Sequence, residues 1–399
     1  MNGRVLGCLG AALIFAVPAR GDEAGVIASM DMLRFGSPKE KGRAELVDGK
    51  VGKAIRFQTE KGAASTFFTS NIHGTPEWDR VAGFSFWVKG EGTDGFGGLQ
   101  FIYDDDYAVR YDLAFPVKGT EWTRVVVAWE DLIPVLPGPR ARPLGSPGGN
   151  SPSKLSGLWF GKWWYWGDYP AMSFAIDEIR LEPTIVKATP QDPPAGPPLA
   201  RTLAKLKGGQ PITVVTMGDS LTDIRHWANR EIAWPSLLKD HLETAYDSKV
   251  TIVNPAIGGT QLRQNLVLIP RWLDVAPQPD LVMIFFGGND WDAGMRGEEF
   301  ERTCRDAVDR IRQATLGKAD ILLLTTNPSA ARWDTTAELA TACRKAAGAR
   351  NAGLADTEKA FQAAGKADRE RLFVRDRVHL SRAGHEAVAD TIIKAIKKG

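Results

Sequence analysis

Two rhythms of apolar and polar positions divide this chain. Between about residues 25 and 182 the apolar runs are short. Ala54-Ile55-Arg56-Phe57, Phe84-Ser85-Phe86-Trp87-Val88, Leu99-Gln100-Phe101-Ile102-Tyr103, Val109-Arg110-Tyr111-Asp112-Leu113 and Trp122-Thr123-Arg124-Val125-Val126-Val127 are β-branched or aromatic, and several alternate with polar residues. Gly, Pro and Asp clusters end them. The pattern predicts eight or nine strands in a two-sheet sandwich, with a Pro- and Gly-rich loop over 134–154. From Pro211 onward the runs become continuous, at Ile212 to Met217, Val250 to Val253, Leu281 to Phe286 and Ile321 to Leu324. Helical periods at 298–316 and 335–349 separate them. Strands apolar on both faces, alternating with helices, predict a parallel α/β sheet.

Between the two patterns Pro183, Pro190, Pro193, Pro194, Pro197 and Pro198 crowd together, which predicts an extended spacer. A short amphipathic helix over 199–207 would follow. The expected organisation is a β-sandwich at 22–182, a linker at 183–210 and an α/β domain at 211–399. A length of 399 residues fits two domains, since single cores stop growing near 250–300 residues.

The first residues read as a secretory leader. Arg4 is the positive start, Val5 to Val17 is an apolar stretch too short to span a bilayer, and Ala19-Arg20-Gly21 supplies small residues for cleavage. The expected location is therefore secreted or periplasmic, with no membrane span in the mature chain. A lipoprotein box ending at Cys8 fits less well, because the apolar run continues past that residue. Loss of residues 1–21 leaves 48 basic and 48 acidic residues. That balance gives no reason to expect a nucleic-acid partner. Cys304 and Cys343 then remain, either as a disulfide between neighbouring helices or as two buried thiols.

Chemistry enters with four short segments, Gly218-Asp219-Ser220-Leu221, Gly258-Gly259-Thr260, Gly287-Gly288-Asn289-Asp290 and Asp376-Arg377-Val378-His379. The first three follow predicted strands, where open α/β sheets place their ligands. Ser220, at the expected start of the next helix, is the candidate nucleophile. His379 is the candidate base and Asp376, three residues before it, the carboxylate that orients it. Of the other histidines, His73 lies in the β half. His241 and His385 fall in helical patterns where a solvated or capping role suffices. The Ser220 and Gly259 amides and the Asn289 side chain are the candidate oxyanion donors. Taken singly, each segment reads as an ordinary turn; their order and their strand-end placement set them apart.

Over residues 210–399 the chain resembles the SGNH, or GDSL, hydrolase superfamily. Ser220, Gly259, Asn289 and His379 match its four lettered residues in order, and Asp376 its usual third triad member. The second block, Asn254-Pro255-Ala256-Ile257-Gly258-Gly259, has an extra Gly where the family usually has another residue. Gly259 is assigned by register. The resemblance implies a flavodoxin-like α/β/α layer, an open site and an acyl-enzyme mechanism that requires no metal or cofactor. No Cys/His cluster has zinc spacing.

The β half, from Phe84 through Trp122 to Ile176-Asp177-Glu178-Ile179, resembles a galactose-binding-like jelly roll of carbohydrate-binding modules. Jelly-roll and SGNH domains occur together in carbohydrate esterases. The resemblance implies removal of O-acetyl groups from a polysaccharide or oligosaccharide. Lipase-like or aryl esterase activity, acyl transfer to a sugar hydroxyl, and glycan binding with a vestigial hydrolase domain are the alternatives. Trp159, Trp163, Trp164, Tyr165 and Trp166 form either a glycan platform or sandwich interior, the second being the favoured reading. Trp291, Trp227 and His226 are the candidate pocket residues, with Trp333 weaker. Asp104-Asp105-Asp106 reads as a solvated turn in preference to a calcium site.

Overall fold

A computed structural model describes residues 25–31, 35–36, 42–62, 66–92, 95–187 and 192–398. The expected leader and Cys8 lie outside the described residues. The chain divides into two compact units, Met1–Ala188 and Thr189–Gly399.

The first unit is built from antiparallel strands. They are β1 (Val26–Ala28), β2 (Gly42–Asp48), β3 (Lys53–Thr59), β4 (Thr66–His73), β5 (Gly83–Gly90), β6 (Phe96–Tyr103), β7 (Asp106–Pro116), β8 (Thr123–Ala128), β9 (Ile133–Pro134), β10 (Leu155–Gly161) and β11 (Met172–Glu182). One sheet runs β2-β3-β11-β5-β8, with β1 on β11; the other runs β4-β10-β6-β7-β9. Inward residues of both sheets, among them Phe57, Phe84, Phe101 and Phe160, share one core. Side chains alternate along a strand. Leu158 and Phe160 of β10 are therefore buried in that core, while Trp159 between them packs outside on Phe68 and Tyr107, at 4.7 and 5.7 Å between ring centroids. Of the aromatic run, Trp163, Tyr165 and Trp166 are buried and Trp164 is exposed. Asp104 and Asp105 take positive φ in the tight turn joining β6 to β7. Arg140 donates to Asp104 and Asp106, so that turn is ion-paired.

In the second unit five strands form one parallel sheet: β12 (Ile212–Gly218), β13 (Val250–Val253), β14 (Leu281–Phe285), β15 (Asp320–Leu324) and β16 (Gly353–Ala355). Their order is β13-β12-β14-β15-β16. This is the 2-1-3-4-5 order of flavodoxin-like sheets, whose ligand crevice opens where the order reverses, outside the carboxyl ends of β12 and β14. The helices are α1 (Ala200–Lys207), α2 (Trp234–Tyr246), α3 (Leu262–Val267), α4 (Ile269–Val275), α5 (Gly288–Asp292), α6 (Gly297–Ala314), α7 (Ala337–Ala349), α8 (Thr357–Ala364) and α9 (Arg382–Lys397). Trp234 and Leu238 of α2 and Val388 and Ile392 of α9 pack with Val214, Met283 and Leu322 of the sheet. The alternate strand residues Val215, Val282 and Leu323 are buried too, so both faces are covered. That explains the unbroken apolar runs in the sequence. Among the described residues no helix is long and apolar enough to cross a membrane.

Cys304 of α6 and Cys343 of α7 are buried free thiols. Contact with Cys343, reinforced by burial, pushes the Cys304 thiol well up. Cys343 donates to the Leu324 carbonyl at 3.5 Å.

Candidate active site

The helix expected immediately after Ser220 is absent; α2 begins only at Trp234. Side-chain amides explain the difference. Asn229 Nδ2 donates to the carbonyls of Ser220 and Asp223, at 2.7 and 2.8 Å, and Asn254 Nδ2 donates to that of Thr222 at 3.0 Å. These carbonyls would otherwise accept helical N–H groups. The segment becomes a set of turns, and Ser220 has no helix dipole behind it.

His379 reaches Ser220 from the far end of the unit. Its Nε2 lies 2.9 Å from Ser220 Oγ and its Nδ1 2.6 Å from Asp376 Oδ2. An ionised carboxylate only accepts, so Nδ1 carries the proton and Nε2 is free to accept from the serine. The other oxygen of Asp376 accepts the amides of Val378 and His379, at 2.9 and 3.0 Å. Burial pushes the Asp376 carboxyl up, but the His379 ring and the two amides outweigh it and hold the group below its ordinary range. The turn that makes this reach possible puts Arg377 at φ 65°, unusual for a side chain with a Cβ. Hydrogen bonds hold it there: Arg377 Nε and Nη2 donate to Glu370 at 3.0 and 2.6 Å, its amide donates to the Val374 carbonyl at 2.8 Å, and the Ala330 amide donates to its carbonyl at 2.9 Å.

Gly259 has φ 80° in the turn from Ile257 to Thr260, where the Thr260 amide donates back to the Ile257 carbonyl. That is the third position of a type II turn, which glycine accepts without strain. Gly258 faces the nucleophile: a Cβ built on it would stand 3.5 Å from Ser220 Cβ and 3.5 Å from His226 Cδ2. Among the described residues neither the Ser220 nor the Gly259 amide has a hydrogen-bond partner. Asn289 differs. Its Nδ2 donates to the Thr260 carbonyl at 3.0 Å and to Asp219 Oδ2 at 3.2 Å, so both amide hydrogens are already engaged.

Two buried carboxylates lie behind these donors. Burial pushes Asp219 up to about 6, against the Leu221 amide and the His379 ring, which favour the anion. Asp290 is pushed up by burial to about 7, with the Asp219 charge adding to it and the Leu262 amide opposing it. Asp290 Oδ1 accepts that amide at 3.0 Å and so ties the start of α3 to α5. Sequence reasoning assigned neither carboxylate a role, although both sit inside the motif segments.

A cavity of about 220 Å³ opens beside Ser220, with Leu221, Phe286, Asn289, Asn327, Arg332 and Val378 in its lining. Trp291, Trp227 and His226, expected as pocket residues, do not line it. Trp291 carries the Arg296 guanidinium over its ring at 3.8 Å. His226 and Trp227 instead flank the His379 ring, at 4.3 and 5.7 Å between centroids. Trp333 packs edge-on against Phe373. The cavity residues beyond β15 escaped sequence reasoning because no local pattern links them to Ser220. Among the described residues no group of three His, Cys, Asp or Glu is placed to hold a metal ion.

His385 is buried, not solvated. Its Nδ1 accepts the Trp234 amide at 3.2 Å, so it caps α2 from the neighbouring α9.

The second unit is thus a doubly wound parallel sheet with a hydrogen-bonded serine, histidine and aspartate beyond its strand ends. Residues 216–387 match the GDSL-like Lipase/Acylhydrolase family. The thioesterase 1/protease 1/lysophospholipase L1 of Escherichia coli K12 is 32% identical over 102 residues, covering 26% of this chain and 46% of that protein. The chain thus spans about half the length of the curated relatives it matches. Among solved structures, an acetylxylan esterase from Geobacillus stearothermophilus is 24% identical, covering 48% of this chain and 96% of that one, with a TM-score of 0.40. A GDSL-like lipase from Parabacteroides merdae is 22% identical over 47% of this chain and 96% of its own, also at 0.40.

Proposed function

We propose that the chain is a serine esterase, with Ser220 as nucleophile, His379 as base and Asp376 as its orienting carboxylate. One observation carries the reading: the continuous hydrogen-bonded line from Ser220 Oγ through His379 to Asp376. As Ser220 Oγ attacks the ester carbonyl, His379 Nε2 takes its proton and Asp376 stabilises the imidazolium. The carbonyl oxygen becomes an oxyanion facing the free amides of Ser220 and Gly259. Asn289 becomes the third donor by turning one hydrogen away from Asp219, the longer of its two bonds. His379 then returns the proton to the departing alcohol. Water, deprotonated by the same nitrogen, hydrolyses the acyl-Ser220 ester and releases the acid.

The finer reading is deacetylation of a polysaccharide or oligosaccharide outside the cytoplasm. It rests on the leader pattern over residues 1–21 and on the likeness of the β unit to carbohydrate-binding jelly rolls. A lipase-like preference for longer acyl chains draws on the apolar Leu221, Phe286 and Val378 of the cavity. Ser220→Ala tests the reaction: hydrolysis of a small acetyl ester should nearly vanish while the circular dichroism spectrum is unchanged. Turnover near the wild-type level would overturn the assignment.

A further inference from the structure

The cavity beside Ser220 is not uniformly apolar. Thr336 stands at the N-cap of α7, where a threonine hydroxyl ordinarily accepts an amide of the first turn. Here it makes no such bond. Thr336 lines the cavity and is 5% exposed, and among the described residues its Oγ1 has no hydrogen-bond partner. A buried hydroxyl left unpaired is costly, so the site is complete only when something else pairs with it. In the same lining Arg332 and Asp292 form an ion pair, each half exposed.

We propose that this cavity is a subsite for a neutral, hydroxyl-bearing part of the ester substrate, with Thr336, Arg332 and Asp292 setting its specificity. The inference rests on the serine-esterase reading of the same site. Its logic is one of matching donors and acceptors. Thr336 can give or take a hydrogen bond, Arg332 only gives, and Asp292 only takes. A polyol fits such a mixed set, because each of its hydroxyls both gives and takes. An aliphatic acyl chain would leave Thr336 unpaired and strip water from the ion pair. A carboxylate or phosphate would find the Arg332 charge already paired with Asp292. A site built to pair with a substrate hydroxyl discriminates against an analogue without one, because its own polar groups are then left unpaired.

The test compares two acetyl esters on the full chain, a monoacetylated pyranoside with its other hydroxyls free and phenyl acetate. The readout is the ratio of their kcat/KM values. Thr336→Val, nearly isosteric, should lower that ratio about fivefold to tenfold, as the loss of one hydrogen bond would. Thr336→Ser should keep the ratio close to wild type, and it carries the test if the valine variant does not fold. An unchanged ratio in Thr336→Val, a ratio equally lowered in Thr336→Ser, or a wild-type preference for p-nitrophenyl octanoate over the acetylated sugar would overturn the subsite. Phenyl acetate hydrolysis that persists in Ser220→Ala would instead overturn the esterase reading, and the subsite with it.

Discussion

The ring of His226 lies stacked on the ring of His379, with centroids 4.3 Å apart and planes 27° from parallel. His226 Nδ1 accepts the Ala228 amide, which leaves Nε2 to carry the proton of a neutral ring. Burial pushes its pKa down and the His379 charge pushes it further. Arg230 acts in the same direction, while Asp223 and Asp376 oppose it. In the proposed reaction, a neutral ring can support the imidazolium on His379 without repelling it. His226→Ala should therefore lower kcat about threefold to tenfold, the range expected for losing an aromatic contact of about 0.5–1.5 kcal/mol. His226→Phe should recover most of that loss. Steady-state kinetics on a small ester check both, and a fall in the phenylalanine variant as deep as in the alanine one would contradict the stacking role.

The Asp376 carboxylate sets the tautomer of His379. Asparagine at this position could offer its amide to Nδ1 and leave the proton on the nitrogen that faces Ser220. Asp376→Asn should cost roughly 10³–10⁴ in kcat, with thermal stability little changed. A loss below tenfold would mean that another group orients the ring.

Asn289→Ala should cost about 10²–10³ in kcat, the usual effect of removing one oxyanion donor. Single-turnover acylation with a chromogenic ester reads this directly. An effect confined to KM would show that the side chain binds the ground state and not the oxyanion.

Gly287 is a packing requirement as well as a turn. Its φ is 137°, and a Cβ there would stand 1.9 Å from Thr326 Oγ1. Gly287→Ala should lose about 2 kcal/mol or more of stability, by strain and overpacking together. Denaturant unfolding measures it, and a midpoint equal to wild type would refute the clash.

His385 should make folding sensitive to acid. Burial pushes its pKa to about 4 from an ordinary 6.5, so the fold favours the neutral ring. That contribution is complete above about pH 6.5 and is lost as pH falls toward 4, a span of about 3 kcal/mol. The stability of the wild type relative to His385→Gln should therefore decline between pH 6.5 and 4. Parallel stability curves would show that the ring does not carry the effect.

The alternation of short aromatic runs made the antiparallel sheets legible, and the unbroken apolar runs at Ile212, Leu281 and Ile321 made the parallel sheet legible, because both patterns are local consequences of which faces are buried. The motif residues were legible for a related reason, since a turn at a strand end needs particular residues in sequence. The helix after Ser220 was misread because Asn229 and Asn254 act on it from a distance. Of the two roles open to His385 the capping one holds, but on α2 and not on its own helix, which nothing near it in sequence shows.

By itself the sequence determined two domain types, the strand-end positions of Ser220, Gly259 and Asn289, and the Asp376–His379 pair. Tertiary structure alone decided which groups meet across long separations. His379 comes within 2.9 Å of a serine 159 residues away. Asp219 engages Asn289, His226 stacks on His379, and Thr336 lines the cavity beside Ser220 with its hydroxyl unpaired. Periodicity reports the burial of a residue within its own element, whereas hydrogen bonds and ring contacts between elements depend on how the chain closes back on itself.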